Sequence, residues 1–239
     1  MRIMKDLENQ WVCTRCGFNM VGFHPTTCPF CGAPRDEFIS AKQCAETYVV
    51  KEKKVTNKVT RLNSEPRLGY EHAAYRIQAD GAIIWIDCPS SFTRELEPCN
   101  TITFTHHHFL GAMNLYREKF NATSQIHERD ANHSICSRFT FDETFQGDFQ
   151  MHGIKAYHID GHTPGFTVYI FEDIAFVCDY VFPSGDAMSF NPYGPSEATR
   201  KGGIKLKGIL ESKDIKMVCG WIYVEGYDNW KEKFNELLC

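Results

Sequence analysis

The sequence has no apolar run approaching the roughly 20 residues that a bilayer-spanning helix needs. Its first residues, Met1-Arg2-Ile3-Met4-Lys5-Asp6-Leu7-Glu8, contain no apolar segment of the kind that marks a secretory leader. Basic charge is not in excess: 26 Lys and Arg stand against 30 Asp and Glu, a net charge of −4 with no basic stripe. These absences weigh against nucleic-acid and membrane partners and lead us to expect a cytoplasmic protein. A disulfide framework is missing too. The 11 cysteines make an odd count. Four of them fall in two C-x-x-C pairs, and the rest (Cys44, Cys88, Cys99, Cys136, Cys178, Cys219, Cys239) stand singly. That pattern is one metal cage plus free thiols, several of them in apolar runs where Cys acts as a small hydrophobe. With 239 residues, 43% of them hydrophobic and 23% charged, the chain can hold one large domain or a core domain with a small module attached.

The paired cysteines read Cys13-Thr14-Arg15-Cys16-Gly17 and Cys28-Pro29-Phe30-Cys31-Gly32-Ala33. Each pair makes a tight knuckle that aims two thiolates at one ion, and the glycines permit the turns. Four thiolates in a tetrahedron suit zinc or a single iron. The segment is too short to bury a core of its own, so metal binding must supply much of its folding energy. We place the boundary of this module at residues 1–42, with the larger domain spanning 43–239.

The larger domain is organised around Thr101-Ile102-Thr103-Phe104-Thr105-His106-His107-His108-Phe109-Leu110-Gly111. A β-branched, apolar run, Ile102 to Thr105, reads as a buried strand that ends in three histidines. Strand alternation would put His106 and His108 on one face and His107 on the other. Two imidazoles on one face at a strand end can hold a metal ion; the plainer alternative is a hydrophilic loop. The run Ala112–Phe120 has helical spacing. His127, Asp130 and His133 are read as a polar surface loop.

Elsewhere the elements are regular. Asp80-Gly81 between Ala73–Ala79 and Ala82–Asp87 is a hairpin signal, and Asp87 closes an apolar strand. Lys51-Glu52-Lys53-Lys54 reads as a solvated turn or sheet edge. Phe149–Tyr157 reads as a strand pair or one bent strand. Gly161-His162-Thr163-Pro164-Gly165 is a loop between strands whose glycines and proline fix a sharp path and leave His162 projecting. Apolar strands are expected at Thr167–Phe171 and Ile174–Cys178, the second ending in Asp179. Residues 185–207 read as a loop over the mouth of the site and a helix start, and Trp230–Leu238 as a closing helix.

Two resemblances follow from these residues. Trp11-Val12-Cys13, Cys16-Gly17, Cys28-Pro29-Phe30-Cys31-Gly32-Ala33 and Phe38 resemble a short rubredoxin, which implies a single redox-active iron in four cysteines. A zinc ribbon shares the spacing, so zinc is the alternative metal. Residues 45–239 resemble the metallo-β-lactamase superfamily: Asp87 resembles its first acidic motif, Thr105-His106-His107-His108 the start of its T-H-x-H-x-D-H motif, Gly161–Gly165 its second histidine loop, and Cys178-Asp179-Tyr180-Val181-Phe182 its G-D-x-x-F block. The fold class implied is α+β, an αββα sandwich with metal at the sheet edges. The motif is incomplete. Leu110 and Gly111 stand where Asp and His belong, and Val218-Cys219-Gly220-Trp221 replaces the block that carries the last histidine. The matched positions, His106, His108, His162 and Asp179, suffice for one ion, iron or zinc, but not for a pair. Asp179 and Asp87 are the candidate catalytic groups.

Three functions fit. The first is redox chemistry at a single metal fed by the rubredoxin-like module, as flavodiiron proteins and persulfide dioxygenases suggest by analogy. The second is a one-metal hydrolase using metal-activated water. The third is a non-catalytic electron-transfer or interaction protein with a decayed site. The expected partner is a small-molecule substrate or a redox partner protein, and the flavodiiron analogy points to a homodimer.

Overall fold

The computed structural model describes residues 7–239. Strands β1 (Gln10–Cys13), β2 (Asn19–Val21) and β3 (Phe38–Ser40) form a small antiparallel sheet in the order β2-β1-β3. Helix α1 (Ala41–Thr47) follows at once. Its start is set by a capping box: the Ser40 hydroxyl accepts from Gln43 N, and the Gln43 side chain accepts from Ser40 N. The helix runs across residues 42 and 43. Val12, Ala41 and Cys44 lie in one apolar cluster with Leu62, Trp85 and Phe92, so the cysteine module and the first sheet share a core.

The next seven strands are β4 (Val49–Lys54), β5 (Val59–Glu65), β6 (Ala74–Ala79), β7 (Ala82–Ile86), β8 (Thr101–Thr103), β9 (Thr123–His127) and β10 (Glu143–Phe145). They form one sheet in strict reverse order, antiparallel from β4 to β7 and parallel from β7 to β10. The Lys51–Lys54 run is the exposed end of the edge strand β4. Charges there discourage pairing with another chain. The hairpin β6–β7 turns at Asp80-Gly81, with Gly81 at φ +72°.

The second sheet runs β11 (Phe149–Met151), β12 (Ile154–His158), β13 (Thr167–Phe171), β14 (Ile174–Cys178), β17 (Met217–Gly220) and β18 (Val224–Gly226). A separate ribbon, β15 (Val181–Ser184) with β16 (Ala187–Phe190), projects from the end of β14. Helices α2 (Met113–Phe120), α3 (Glu128–Ala131), α4 (Ser196–Glu211) and α5 (Tyr227–Leu238) complete the chain. No helix among the described residues is long and apolar enough to cross a membrane.

Period-2 alternation builds the layers. On β7, Trp85 points to the cluster with Leu115 and Tyr116 of α2, while Ile84 and Ile86 point between the sheets. On β13, Val168 and Ile170 meet Leu206 of α4 and Trp230 and Phe234 of α5, while Tyr169 and Phe171 point inward to Ile84 and Ile86. Two sheets face to face with helices outside is the αββα arrangement. Full burial of one such large side chain contributes about 1.5–3 kcal/mol, so these alternating rows dominate the packing energy.

One local expectation is corrected. The chain after β8 does not stay a strand as far as Thr105: β8 ends at Thr103, and His107–Phe109 is a single 3-10 turn. His106 and His108 still face the site while His107 faces away, but a turn brings this about.

Candidate metal centre

The ends of several strands meet at one sheet edge. Asp87 follows β7, His106 and His108 follow β8, Asp130 follows β9, His162 lies between β12 and β13, and Asp179 follows β14. The donor atoms of His106, His108, His162 and Asp179 lie within 4.8 Å of one another. His106 Nε2 is 3.5 Å from Asp179 Oδ1, His162 Nε2 is 3.6 Å from Asp179 Oδ2, and His162 Nε2 is 3.1 Å from His108 Nδ1. Four ligands at about 2.1 Å around a tetrahedral ion are about 3.4 Å apart, so the spacing fits.

The proton count at His106 also favours a cation. Asp87 accepts from Thr105 N at 2.9 Å and from the Thr105 hydroxyl at 3.0 and 2.9 Å. That hydroxyl has one proton, already given to Asp87. Its oxygen, 3.0 Å from His106 Nδ1, must therefore accept from it. Nε2 is then a bare lone pair, buried without a hydrogen bond and facing Asp179 Oδ1, which is also buried without one. With Asp179 ionised, two acceptors face each other out of water, which is costly unless a proton or a metal ion lies between them. Asp87 thus reaches His106 through Thr105, as an orienting group behind it.

Burial sets the electrostatics. It pushes Asp179 up to about 8, helped by the Asp87 charge, and Asp87 up to about 7 against the hydrogen bonds from Thr105. It holds His106 and His108 well below the ordinary imidazole range, with His108 and His162 adding to the effect at His106 and His162 and His107 at His108. Burial and then His107 bring His162 down to about 4. All three imidazoles are therefore neutral at pH 7, the form that binds metal.

Three contributors escaped the sequence reading. Asp130 is fully buried rather than part of a surface loop. It accepts from His107 N at 3.1 Å, the Thr163 hydroxyl at 2.9 Å and Gly165 N at 2.8 Å, which ties the two histidine segments together. The D-x-x-H spacing made Asp130 visible but gave no sign of burial. Asn191 donates to Asp179 Oδ2 at 2.8 Å and to Asp179 O at 3.0 Å, and lies 3.2 Å from His162 Nε2. His72, in the loop before β6, lies 3.5 Å from Asp179 Oδ2. No local motif marks either residue.

The four cysteines gather as well. Cys13 and Cys31 Sγ are 3.7 Å apart, as are Cys16 and Cys28 Sγ, and all four sulfurs lie within 4.8 Å. Thiolates at about 2.3 Å from a tetrahedral ion are about 3.8 Å apart, for zinc and for iron alike. Gly17 and Gly32 take φ +82° and +70° in the two knuckles.

No family model and no curated protein matches the sequence. Solved structures do match the fold. A metallo-beta-lactamase from Pontibacter korlensis superposes with TM-score 0.62 at 14% identity, covering 79% of this chain and 98% of that one. A metallo-beta-lactamase from Erythrobacter litoralis gives TM-score 0.63 at 14% identity, covering 79% and 96%. An archaeal metallo-beta-lactamase superfamily protein from Sulfolobus tokodaii gives 0.52 at 10%, covering 70% and 80%. Likeness at this identity speaks for architecture: the chain has the metallo-β-lactamase fold, with a His/Asp donor set and a four-cysteine donor set built onto it.

Proposed function

We propose that the protein carries out redox chemistry at a metal held by His106, His108, His162 and Asp179, with electrons delivered through a rubredoxin-like iron in Cys13, Cys16, Cys28 and Cys31. The reading needs one redox ion in the histidine set. Two or three imidazoles and a carboxylate with open coordination positions suit non-haem iron, and four thiolates suit an iron that changes charge by one electron. Asp179 would hold the ion as its carboxylate, and Asp87 acts behind the set by orienting Thr105 and His106. The substrate is a small molecule, and a redox partner protein loads the four-cysteine iron.

The observation that carries this reading is Phe30. It sits inside the second knuckle, between Cys28 and Cys31, and its ring lies 5.0 Å from that of His108 and 5.2 Å from that of Phe109. One side chain spans from a cysteine knuckle to a histidine of the second donor set. The module is also held in place: Asn19 Nδ2 donates to Ser90 O at 3.0 Å, and Tyr70 N donates to Arg15 O at 3.0 Å. A structural zinc knuckle would not need to be seated against that histidine.

The test is internal electron transfer in anaerobically iron-loaded protein. With the histidine-set iron first oxidised, reduction of the four-cysteine iron should be followed by return of its visible absorption as its electron passes on and reduces the histidine-set iron. Phe30→Ala should slow that step while both metals stay bound; unchanged rates would remove the support. Zinc in both sites would favour a one-metal hydrolase instead, the reading to which the metallo-beta-lactamase neighbours lend weight. Metal in the cysteines alone would favour a non-catalytic protein.

A further inference from the structure

The direction in which Asp179 points depends on what holds its oxygens. Oδ2 accepts from Asn191 Nδ2 at 2.8 Å and faces His72 Nε2 at 3.5 Å. Oδ1 has no hydrogen bond and faces His106 Nε2 at 3.5 Å. Two N–H groups on one oxygen and none on the other fix the plane of the carboxylate and leave Oδ1 bare beside His106.

His72 is the less expected of the two groups. It is buried in the loop before β6, and its Nδ1 is 3.2 Å from Cys178 Sγ. A thiol proton given to Nδ1 leaves the ring proton on Nε2, the nitrogen that faces Asp179. The imidazole therefore bridges the thiol and the carboxylate through its two different nitrogens. Cys178 takes φ +48°, a backbone region that disfavours a side chain, so the end of β14 is strained where its thiol meets the ring. The ring also stacks on Phe109, centroids 3.2 Å apart, with Trp221 at 5.9 Å on another side.

The chain leading to His72 is pinned residue by residue. A Cβ on Gly69 would overlap the carbonyls of Arg15 and Thr14, inside the first cysteine knuckle. Tyr70 N donates to Arg15 O at 3.0 Å. The buried Glu71 carboxylate accepts from Ser64 N at 2.9 Å, the Ser64 hydroxyl at 2.9 Å and Ser90 N at 2.8 Å. Trp221 Nε1 donates to the carbonyls of Tyr70 and Glu71, both at 3.2 Å. A ring held from so many sides is pre-set against Asp179 before any ion arrives.

We propose that His72 is a positioning residue for the histidine set: its Nε2–H, together with Asn191, holds Asp179 Oδ2 and so turns the carboxylate towards the imidazoles that share the ion. This role rests on that set holding an ion, as proposed above, and not on the ion being redox-active.

The test is anaerobic cobalt(II) titration of the full chain in wild type, His72→Gln and His72→Asn. Cobalt in four thiolates and cobalt among imidazoles and a carboxylate have separate visible spectra, so each donor set reads out by itself. The amide nitrogen of Gln falls where Nε2 stands and can hold Oδ2. That of Asn falls where Nδ1 stands and meets Cys178 instead. At the histidine set, His72→Gln should bind cobalt about as tightly as wild type, and His72→Asn about 10–100-fold more weakly. The four-thiolate spectrum should be the same in all three, which shows that the fold is kept. Wild-type affinity in His72→Asn would overturn the role. Equal weakening by both variants would overturn it too, because ring packing and not the donated proton would then be the cause. Cobalt in the cysteines alone in wild type would overturn both this role and the ion in the histidine set. Failure of electron transfer between two bound irons, by contrast, would strike the redox reading and leave the role of His72 standing.

Discussion

At the residue scale, Asp130 holds the site together without touching a metal. Burial works against its ionisation, yet hydrogen bonds from His107 and Thr163 keep the carboxyl below its usual range. Asp130→Ala would leave two backbone amides and a hydroxyl unpaired in the interior, at about 1–3 kcal/mol each. We expect a loss of about 3 kcal/mol or more in denaturant unfolding, and metal affinity at the histidine set weaker by roughly 10–100-fold. Near-wild-type values for both would mean that the clamp is unimportant. The pH dependence of the metal-free protein has a definite sign. Asp179 and Asp87 are raised, to about 8 and about 7, so their stabilising contribution is complete below their unfolded values and is lost as pH rises towards 8. His106, His108 and His162 are lowered, so theirs is complete above about 6.5 and is lost as pH falls. Melting temperature in a chelator should therefore peak near pH 6.5 and decline on either side, and bound metal should abolish the decline above the peak. Legibility at this scale was uneven. His106, His108, His162 and Asp179 lie in short local patterns that can be recognised one at a time. His72, Asp130 and Asn191 reach the site from segments whose nearness exists only after folding.

At the element scale, the turn after the histidines depends on Gly111. Its φ is +54°, and a Cβ there would meet the carbonyls of Cys88 and Pro89. The loop after β7 and the start of α2 cannot move apart without disturbing Asp87 and His106 together. Gly111→Ala should cost about 2–4 kcal/mol from combined strain and overlap, and should lower metal content at the histidine set; thermal melting and metal analysis read the two effects. Strands and helices were largely legible, because unbroken apolar runs such as Ile83 to Ile86 and Val168 to Phe171 and the Asp80-Gly81 turn are local signals. The 3-10 turn at His107–Phe109 was not. Its residues carry no turn signature before Gly111, and the contacts of His107 with Asp130 and of Phe109 with His72 override the β preference of the run.

At the scale of the whole molecule, the αββα layering was legible from the order of strand-end motifs, and the structural neighbours bear out that architecture. The relation between the two donor sets was not legible. Nothing in the spacing of Cys28 and Cys31 says that Phe30 between them lies against His108. On the redox function proposed above, that contact would serve as a packed route for an electron from one site to the other. The most direct measurement is the iron content and visible spectrum of anaerobically prepared wild type and His162→Ala. The expected result is a red wild-type protein with iron beyond that of the four cysteines, and a His162→Ala protein equally red that has lost the extra iron. Identical iron content in the two proteins, or zinc in place of iron in both, would contradict a redox metal in the histidine set.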